Sequence, residues 1–428
     1  MLECPKDQSL AHFYFSFMYD IECEILLYAD DTSLLCSFDK ENMCESFQKL
    51  NSDLSTLTNW AKEWHMDFNA AKSEYVIFSN KKNINYPTLS MENQDLGRVK
   101  EHTHLGLTLN ETMNWDSHIS KITNKATKQT STLWKLNEIL PRRCLENYYF
   151  HFVRPILEYA CVCFDNCSKS ASNRLESAQR KAAIACTRAY QRTSHDSLLS
   201  ELTWPTLAIR RHVYKLSTMY KMINNNAPCY IRSLIPQQRG QTVTSHILRN
   251  EQQITVPRGR LTSYNTSFIP DTIRLWNETE DVLKTSRSLP SFKKALRKNL
   301  FPIKVKENGE LRGKNAINLC RMRMGLSALN WQRTQYHLIE NASCNKCHNR
   351  KEDVTHYFLE CPHYSAQRGT MIRELGQLLQ PAGITPTSTK NNVLINIVLH
   401  GCPILTYNQN MNLFKCTLKY IGDTKRFI

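Results

Sequence analysis

The 428 residues predict an α+β fold. Short apolar runs separated by turn residues dominate up to about residue 110, the signature of paired strands. Apolar residues three and four apart dominate from about residue 112, the signature of helices. Cysteine and histidine side chains then crowd into residues 344–361, a stretch the size of a small metal knuckle. The pattern divides the chain into strands with one long helix at 1–110, a helical region at 111–236, an irregular linker at 237–290, and a basic C-terminal region at 291–428 that contains the knuckle.

Each element has its own residues. Runs at 25–29 and 32–36 flank Asp30 and Asp31, predicting a hairpin with the aspartates at its tip. Met43, Phe47, Leu50, Leu54, Leu57, Trp60 and Trp64 make one helical face. A strand is predicted at Tyr75–Ser79 and a strand pair in "HTHLGLTLN", turning at Gly106. Trp115, Ile119, Ile122, Ala126, Leu133 and Leu136 form the next helix, and "RRCLENYYFHFVRPILEYACVCF" another, broken or kinked near Pro155. Leu175, Ala178 and Ala182 mark a third. A fourth carries Ile209, Val213, Leu216 and Ile223, with Pro205 at its first position. Residues 237–263 are polar and aperiodic, and helices follow the knuckle.

Composition narrows the class. With 41% hydrophobic and 22% charged residues the chain is globular, and long enough for two or three cores. Lysine and arginine outnumber acids 55 to 39, a net +16 that suits a polyanion such as nucleic acid; the plainer reading is a protein that happens to be basic. Sixteen cysteines are too sparse for a disulfide scaffold, so they read as core thiols or metal ligands in a reducing compartment. The longest apolar stretch, "FYFSFMYDIECEILLYA", is interrupted by Asp20, Glu22 and Glu24, and Met1 is followed by no basic leader segment. The expectation is an intracellular protein of cytoplasm and nucleus with no membrane partner. Its oligomeric state is left open.

"LLYADDTSLL" (26–35) places two carboxylates side by side between apolar runs. Aspartates favour turns, which is the plain explanation. The alternative is that a cation relieves their repulsion, as where carboxylates at the end of a sheet hold two magnesium ions for phosphoryl transfer. "YADD" resembles the catalytic box of reverse transcriptases. The ordered series "LNSDLSTLTNWAKEWHMDFNAAKSEYVIFS", "HLGLTLNETMNWDSHI", "YYFHFVRPILEYACVCFDNCSKSASNRLESAQRKAA" and "YNTSFIPDTIRLWNETEDVLKTSRSLPSFKKAL" resembles the jockey-like reverse transcriptases of non-LTR retrotransposons (LINEs) from about residue 20 onward.

The resemblance implies an RNA-directed DNA polymerase fragment with the second half of a palm, a helical thumb and a C-terminal zinc knuckle. It implies that Asp30 and Asp31 hold magnesium, that Tyr28 lies near the primer end, and that Lys72 neutralises pyrophosphate. It also implies that Leu105 and Gly106 in "HLGL" steady the primer. Without it, Lys72 is a surface lysine and "HLGL" a tight turn. The family's third carboxylate, from an upstream strand, has no match: only 29 residues precede Asp30, and of the family's Pro-Gln-Gly-Ser run only Pro5, Gln8 and Ser9 remain. A chain inactive on its own is therefore expected. The alternative is a non-catalytic zinc-knuckle protein binding RNA or single-stranded DNA, and a third class is a zinc-dependent protein-interaction module.

"CNKCHNRKEDVTHYFLEC" spaces Cys344, Cys347, His356 and Cys361 as C-x2-C-x8-H-x4-C, a fit to tetrahedral zinc. Free core thiols are the plain alternative, and His348 and His363 are competing ligands. "CVCFDNC" at 161–167 has no histidine nearby and reads as core. Residues 292–323 hold ten basic side chains against two acids. Lys293, Lys294, Arg297, Lys298, Arg321 and Arg323 are therefore candidates for contacting RNA template, DNA primer or another single strand, a solvated face being the alternative. Trp331, Tyr336 and Tyr357 read either as base-stacking platforms or as knuckle core.

Overall fold

A computed structural model describes residues 21–29, 31–81, 84–236, 253–301, 314–348 and 350–427. The chain forms two compact units, Met1–His118 and Ile119–Ile428.

In the first unit, β1 (Glu24–Tyr28) and β2 (Asp31–Leu35) pair antiparallel, with Tyr28 opposite Asp31, as the apolar runs predict. That register leaves a two-residue connection, and Ala29 adopts φ +52°, the left-handed conformation a tight hairpin asks of its first loop residue. Helix α1 (Met43–Glu63) buries Phe47, Leu54, Leu57 and Ala61 on the predicted face. Trp64 lies just past its end and is exposed, because the apolar spacing outlasts the helix. Asp53 of α1 is buried and accepts hydrogen bonds from the backbone N–H groups of Glu22 (3.1 Å) and Cys23 (2.9 Å), pinning the start of β1 to the helix.

The predicted strand at Tyr75–Ser79 is shorter. Only β3 (Glu74–Tyr75) is regular, and Ile77 turns into the core formed by Phe47, Leu54, Leu89 and Met91. A hairpin that sequence reading missed joins β4 (Ser90–Met91) to β5 (Gln94–Asp95), with Glu92 and Asn93 both at positive φ. β6 (Gly97–Arg98) pairs parallel with β3. β7 (Glu101–His104) and β8 (Leu107–Asn110) form the predicted "HTHLGLTLN" hairpin, turning at Leu105 (φ +45°) and Gly106 (φ +80°). Among the described residues these pairings are separate two-stranded ladders and do not merge into one sheet.

Helix α2 (Asp116–Leu136) leads into the second unit and buries Ile119, Ala126 and Leu133. α3 (Arg142–Tyr148) widens into a π turn at Tyr149–Val153 and resumes as α4 (Arg154–Glu158). This is the break expected near Pro155, whose missing N–H and ring disfavour a regular α turn just before it. In "CVCFDNC" Cys161 is buried and Cys163 is exposed, so the stretch is core only in part. α5 (Lys169–Thr187) buries Leu175, Ala178 and Ala182, and α6 (His195–Leu202) packs on it. α7 (Leu207–Ile223) begins later than predicted: the Thr206 side chain accepts from Ile209 N–H as N-cap, leaving Pro205 ahead of the helix.

The stretch from 253 to 290, read as irregular, contains α8 (Phe268–Glu278). Its Ile273 and Trp276 join Phe292 and Leu296 of α9 (Leu289–Leu300) against Val213, Leu216 and Tyr220 of α7. The polar residues before it masked an apolar face at four- and three-residue spacing, Ile269, Ile273 and Trp276. The rest of that linker, 237–252, lies outside the described residues.

The C-terminal part is larger than a knuckle with a tail. α10 (Lys314–Arg323), α11 (Asn330–Gln335), α12 (Ser365–Leu379), α13 (Asn391–His400) and α14 (Tyr407–Asp423) enclose one core with Leu319, Leu329, Phe358, Leu375, Val398, Phe414 and Tyr420, and the cysteine cluster borders it. No helix among the described residues is long and apolar enough to cross a membrane.

Replacing Asp53 with alanine leaves two backbone donors without their partner. The variant is expected to lose about 1–3 kcal/mol of stability in the first unit. Amide exchange at Cys23 checks it: protection equal to wild type would show that the carboxylate anchors nothing.

Candidate functional site

The knuckle is assembled from backbone geometry. Ser343 and Lys351 form a bridge that closes the loop between them, and Cys344 N–H donates to Arg350 O (2.8 Å). At its turn Lys346 N–H points at Cys344 Sγ (3.5 Å) and His348 N–H returns to Cys344 O (2.9 Å). The second half is a π turn, His356–Glu360, closed by Cys361 N–H donating to His356 O at 2.8 Å. That turn explains the four-residue gap. Five residues along an α-helix place two side chains about 140° apart around the axis. A bond from residue i to i+5 brings them back to one side.

The result is that the sulfurs of Cys344, Cys347 and Cys361 and a ring nitrogen of His356 lie within 4.8 Å of one another. Cys344 and Cys361 sulfurs are 3.9 Å apart, and Cys347 Sγ is 3.4 Å from His356 Nε2. Tetrahedral zinc with ordinary bond lengths requires about 3.8 Å between sulfurs and about 3.6 Å from sulfur to nitrogen. The donor set therefore fits zinc. Burial, reinforced by the neighbouring Cys344 and Cys347, pushes the Cys361 thiol up to about 11 against a weaker opposing effect of the His363 backbone. A cation reverses that penalty by neutralising the thiolates. His348 and His363 are exposed and stand outside the cluster. The other ring nitrogen of His356, Nδ1, is buried without a hydrogen-bond partner.

In the first unit, Tyr28 is 63% exposed at the end of β1 and faces Asp31 across the ladder. Asp30 lies outside the described residues. Among the described residues no cluster of three or more metal-binding side chains includes Asp31. Lys72 is exposed on a single 3-10 turn, Ala70–Lys72, capped by the Asn69 side chain, and forms no ion pair among the described residues. Leu105 and Gly106 sit together at the β7–β8 turn.

Over 166 residues the chain is 30% identical to a probable RNA-directed DNA polymerase from transposon BS of Drosophila melanogaster. Over 163 residues it is 27% identical to the RNA-directed DNA polymerase from mobile element jockey of the same organism. Over these stretches the chain is similar to RNA-directed DNA polymerases of mobile elements. Each match covers 37% of it, but only 18% and 17% of the respective polymerases, so the chain spans less than a fifth of either. No family model matches the chain.

The structure splits the basic segment. Lys294, Arg297 and Lys298 on α9 are exposed and Lys293 is half-buried. Burial, then the nearby Lys221 and Arg297, depresses the Lys293 ammonium, a sign of a local excess of positive charge. Arg321 and Arg323, assigned to nucleic acid from sequence, are half-buried and engaged by other parts of the chain. Arg321 lies over the Tyr190 ring and donates to Arg188 O at 3.1 Å. Arg323, 7% exposed, lies over Phe414, donates to Leu399 O and pairs with Glu201 at 3.3 Å. Lys304, Lys306 and Arg312 lie outside the described residues.

Tyr357 is likewise core, edge-on to Phe358, Tyr364 and Tyr420, and cannot stack on a base. Trp331 carries the Lys351 ammonium 3.3 Å over its ring, and Tyr336 is exposed. Sequence reading passed over the exposed lysines 121, 125, 128 and 135 of α2. At about 100° per residue they share an arc of about 80°, a stripe that a helical wheel would have found.

Replacing Cys347 with serine removes one of the four donors. Metal analysis is expected to find one zinc per wild-type chain and a large loss in the variant; equal contents would sink the ligand assignment.

Proposed function

We propose that this chain is a portion of a non-LTR retrotransposon RNA-directed DNA polymerase, with a palm remnant in the first unit and a nucleic-acid-holding helical region closed by a zinc centre in the second. The observation that carries the reading is the 30% identity to a transposon polymerase, in a chain whose "YADD" stretch caps a hairpin. Asp30 and Asp31 are the residues that would hold magnesium. Bound there, the metal would activate a 3′-hydroxyl and stabilise departing pyrophosphate. Tyr28, exposed beside Asp31, is suited to lie against a primer end, Lys72 to meet phosphate, and the Leu105–Gly106 turn to steady the primer.

Cys344, Cys347, His356 and Cys361 would hold zinc in a structural role, because four protein donors leave it no open position. The exposed cations of α9 and the lysine stripe of α2 are the surfaces offered to RNA template and DNA primer. Like charges one turn apart destabilise an isolated helix by about 0.2–0.5 kcal/mol per pair, and a phosphate backbone removes that repulsion.

Among the described residues Asp31 joins no cluster of three or more metal-binding side chains, and two carboxylates hold magnesium weakly. On a primed RNA template the 428-residue chain is therefore expected to incorporate nucleotide only at background. Robust magnesium-dependent incorporation that vanishes in Asp30→Asn would overturn this.

Binding to RNA or single-stranded DNA is expected to weaken steeply with salt, with a log–log slope of about 0.7 per phosphate neutralised. Changing Lys293, Lys294, Arg297 and Lys298 together to glutamine should flatten the slope and weaken binding to all sequences alike, because phosphate contacts carry no sequence information. A variant that binds like wild type at low salt would mark α9 as a solvated face.

A further inference from the structure

One charged group beside the cysteine cluster is not a ligand. Glu352 is fully buried. Its Oε1 lies 3.8 Å from Cys344 Sγ, and its Oε2 accepts from Asn330 N–H at 2.9 Å. Both oxygens are gripped by Arg426, Nε to Oε1 and Nη2 to Oε2, each at 2.6 Å. Arg426 is 74 residues away in the chain, just beyond α14. The same end of the molecule is tied to the cluster by Tyr357 Oη with Thr424 Oγ1 and by Tyr420 Oη donating to Tyr357 O, both at 2.6 Å.

A metal ligand must be a thiolate. The Cys344 sulfur, one of the four donors, lies 3.8 Å from a buried carboxylate oxygen, so a thiolate there would face a charge of its own sign at short range. The guanidinium fork is what makes that tolerable, since it cancels the carboxylate charge and holds it at a fixed distance. We propose that Arg426 is a positioning residue for the metal centre: through Glu352 it neutralises the charge beside Cys344 and so couples metal binding to the docking of the C-terminal segment. The inference rests on reading the four-donor cluster as a zinc site.

The test is titration of the full-length chain with zinc(II) against a chromophoric chelator, and with cobalt(II) to count thiolates from the charge-transfer absorption. Arg426→Gln is expected to weaken binding by about tenfold or more, in the range of outer-shell losses. Its cobalt spectrum should show reduced thiolate intensity as Cys344 drops away. The double variant Glu352→Gln/Arg426→Gln, which removes both charges, should recover to within about threefold of wild type with a three-thiolate spectrum. A double variant as weak as the single, or weaker, would mean that Arg426 only packs the C-terminal segment, and the proposal falls. It falls equally if Arg426→Gln binds like wild type. Wild-type chain that takes up neither metal would overturn the zinc reading itself, and that result is separate from any difference between variants.

Discussion

Bringing three sulfurs and an imidazole nitrogen within 4.8 Å of one another at the edge of an apolar core constrains the C-terminal helices from Lys314 onward. The bridge at Ser343 and Lys351, the two N–H groups turned back onto Cys344, and the π turn from His356 all serve that convergence. Charged and hydroxyl groups beside the cluster are matched: Glu352 with Arg426 and Asn330, Tyr357 with Thr424, Tyr420 with the Tyr357 carbonyl. A buried polar group left without such a partner destabilises a domain more than its hydrogen bond stabilises it. The knuckle is thus continuous with the helices α12 and α14 and is not an appendage on a tail.

The first unit depends on a different constraint, the geometry of very short turns. Ala29, Glu92, Asn93 and Leu105 all hold positive φ in two-residue hairpin connections, where only Gly106 is the residue type that does so without strain. Non-glycine residues in that region cost of order 1–3 kcal/mol each and persist where the surroundings over-determine them. The strain at Ala29 falls one residue before the aspartate pair, and the strain at Leu105 in the turn that the family resemblance links to the primer. The sequence carries a functional reading at both of these places.

How much was legible follows from what each signal measures. Hairpins bounded by apolar runs, and helices with one apolar face, were readable because alternation and three-to-four spacing report burial directly; β1–β2, β7–β8, α1, α2 and α5 match. The cysteine cluster was readable because its spacing reflects a local loop. Charge partners were not. Arg321 and Arg323 counted as part of a basic run, yet their counterparts Glu201, Tyr190, Phe414 and the Arg188 and Leu399 carbonyls lie between 76 and 133 residues away. The Glu352–Arg426 pair was invisible for the same reason. Tyr357 was ambiguous in sequence because a tyrosine beside a knuckle suits stacking and core equally; three edge-on aromatic neighbours decide for core.

Net charge therefore needs to be divided before it becomes evidence about partners. Arg142 and Arg323 share the buried Glu201, Lys215 is shared between Asp165 and Asp271, and Arg210 is locked to Glu158. These cations hold helices together, and their field is cancelled locally by carboxylates whose charged form they favour: burial acts to raise Glu201, yet Arg323 and Arg142 outweigh it and hold the group below the usual carboxylate range. Exposed lysines recur on α9 and on α2 with no acid between them in sequence. A similar total charge scattered over the surface would attract a polyanion weakly from every side. Gathered on helical faces it gives a direction to the attraction.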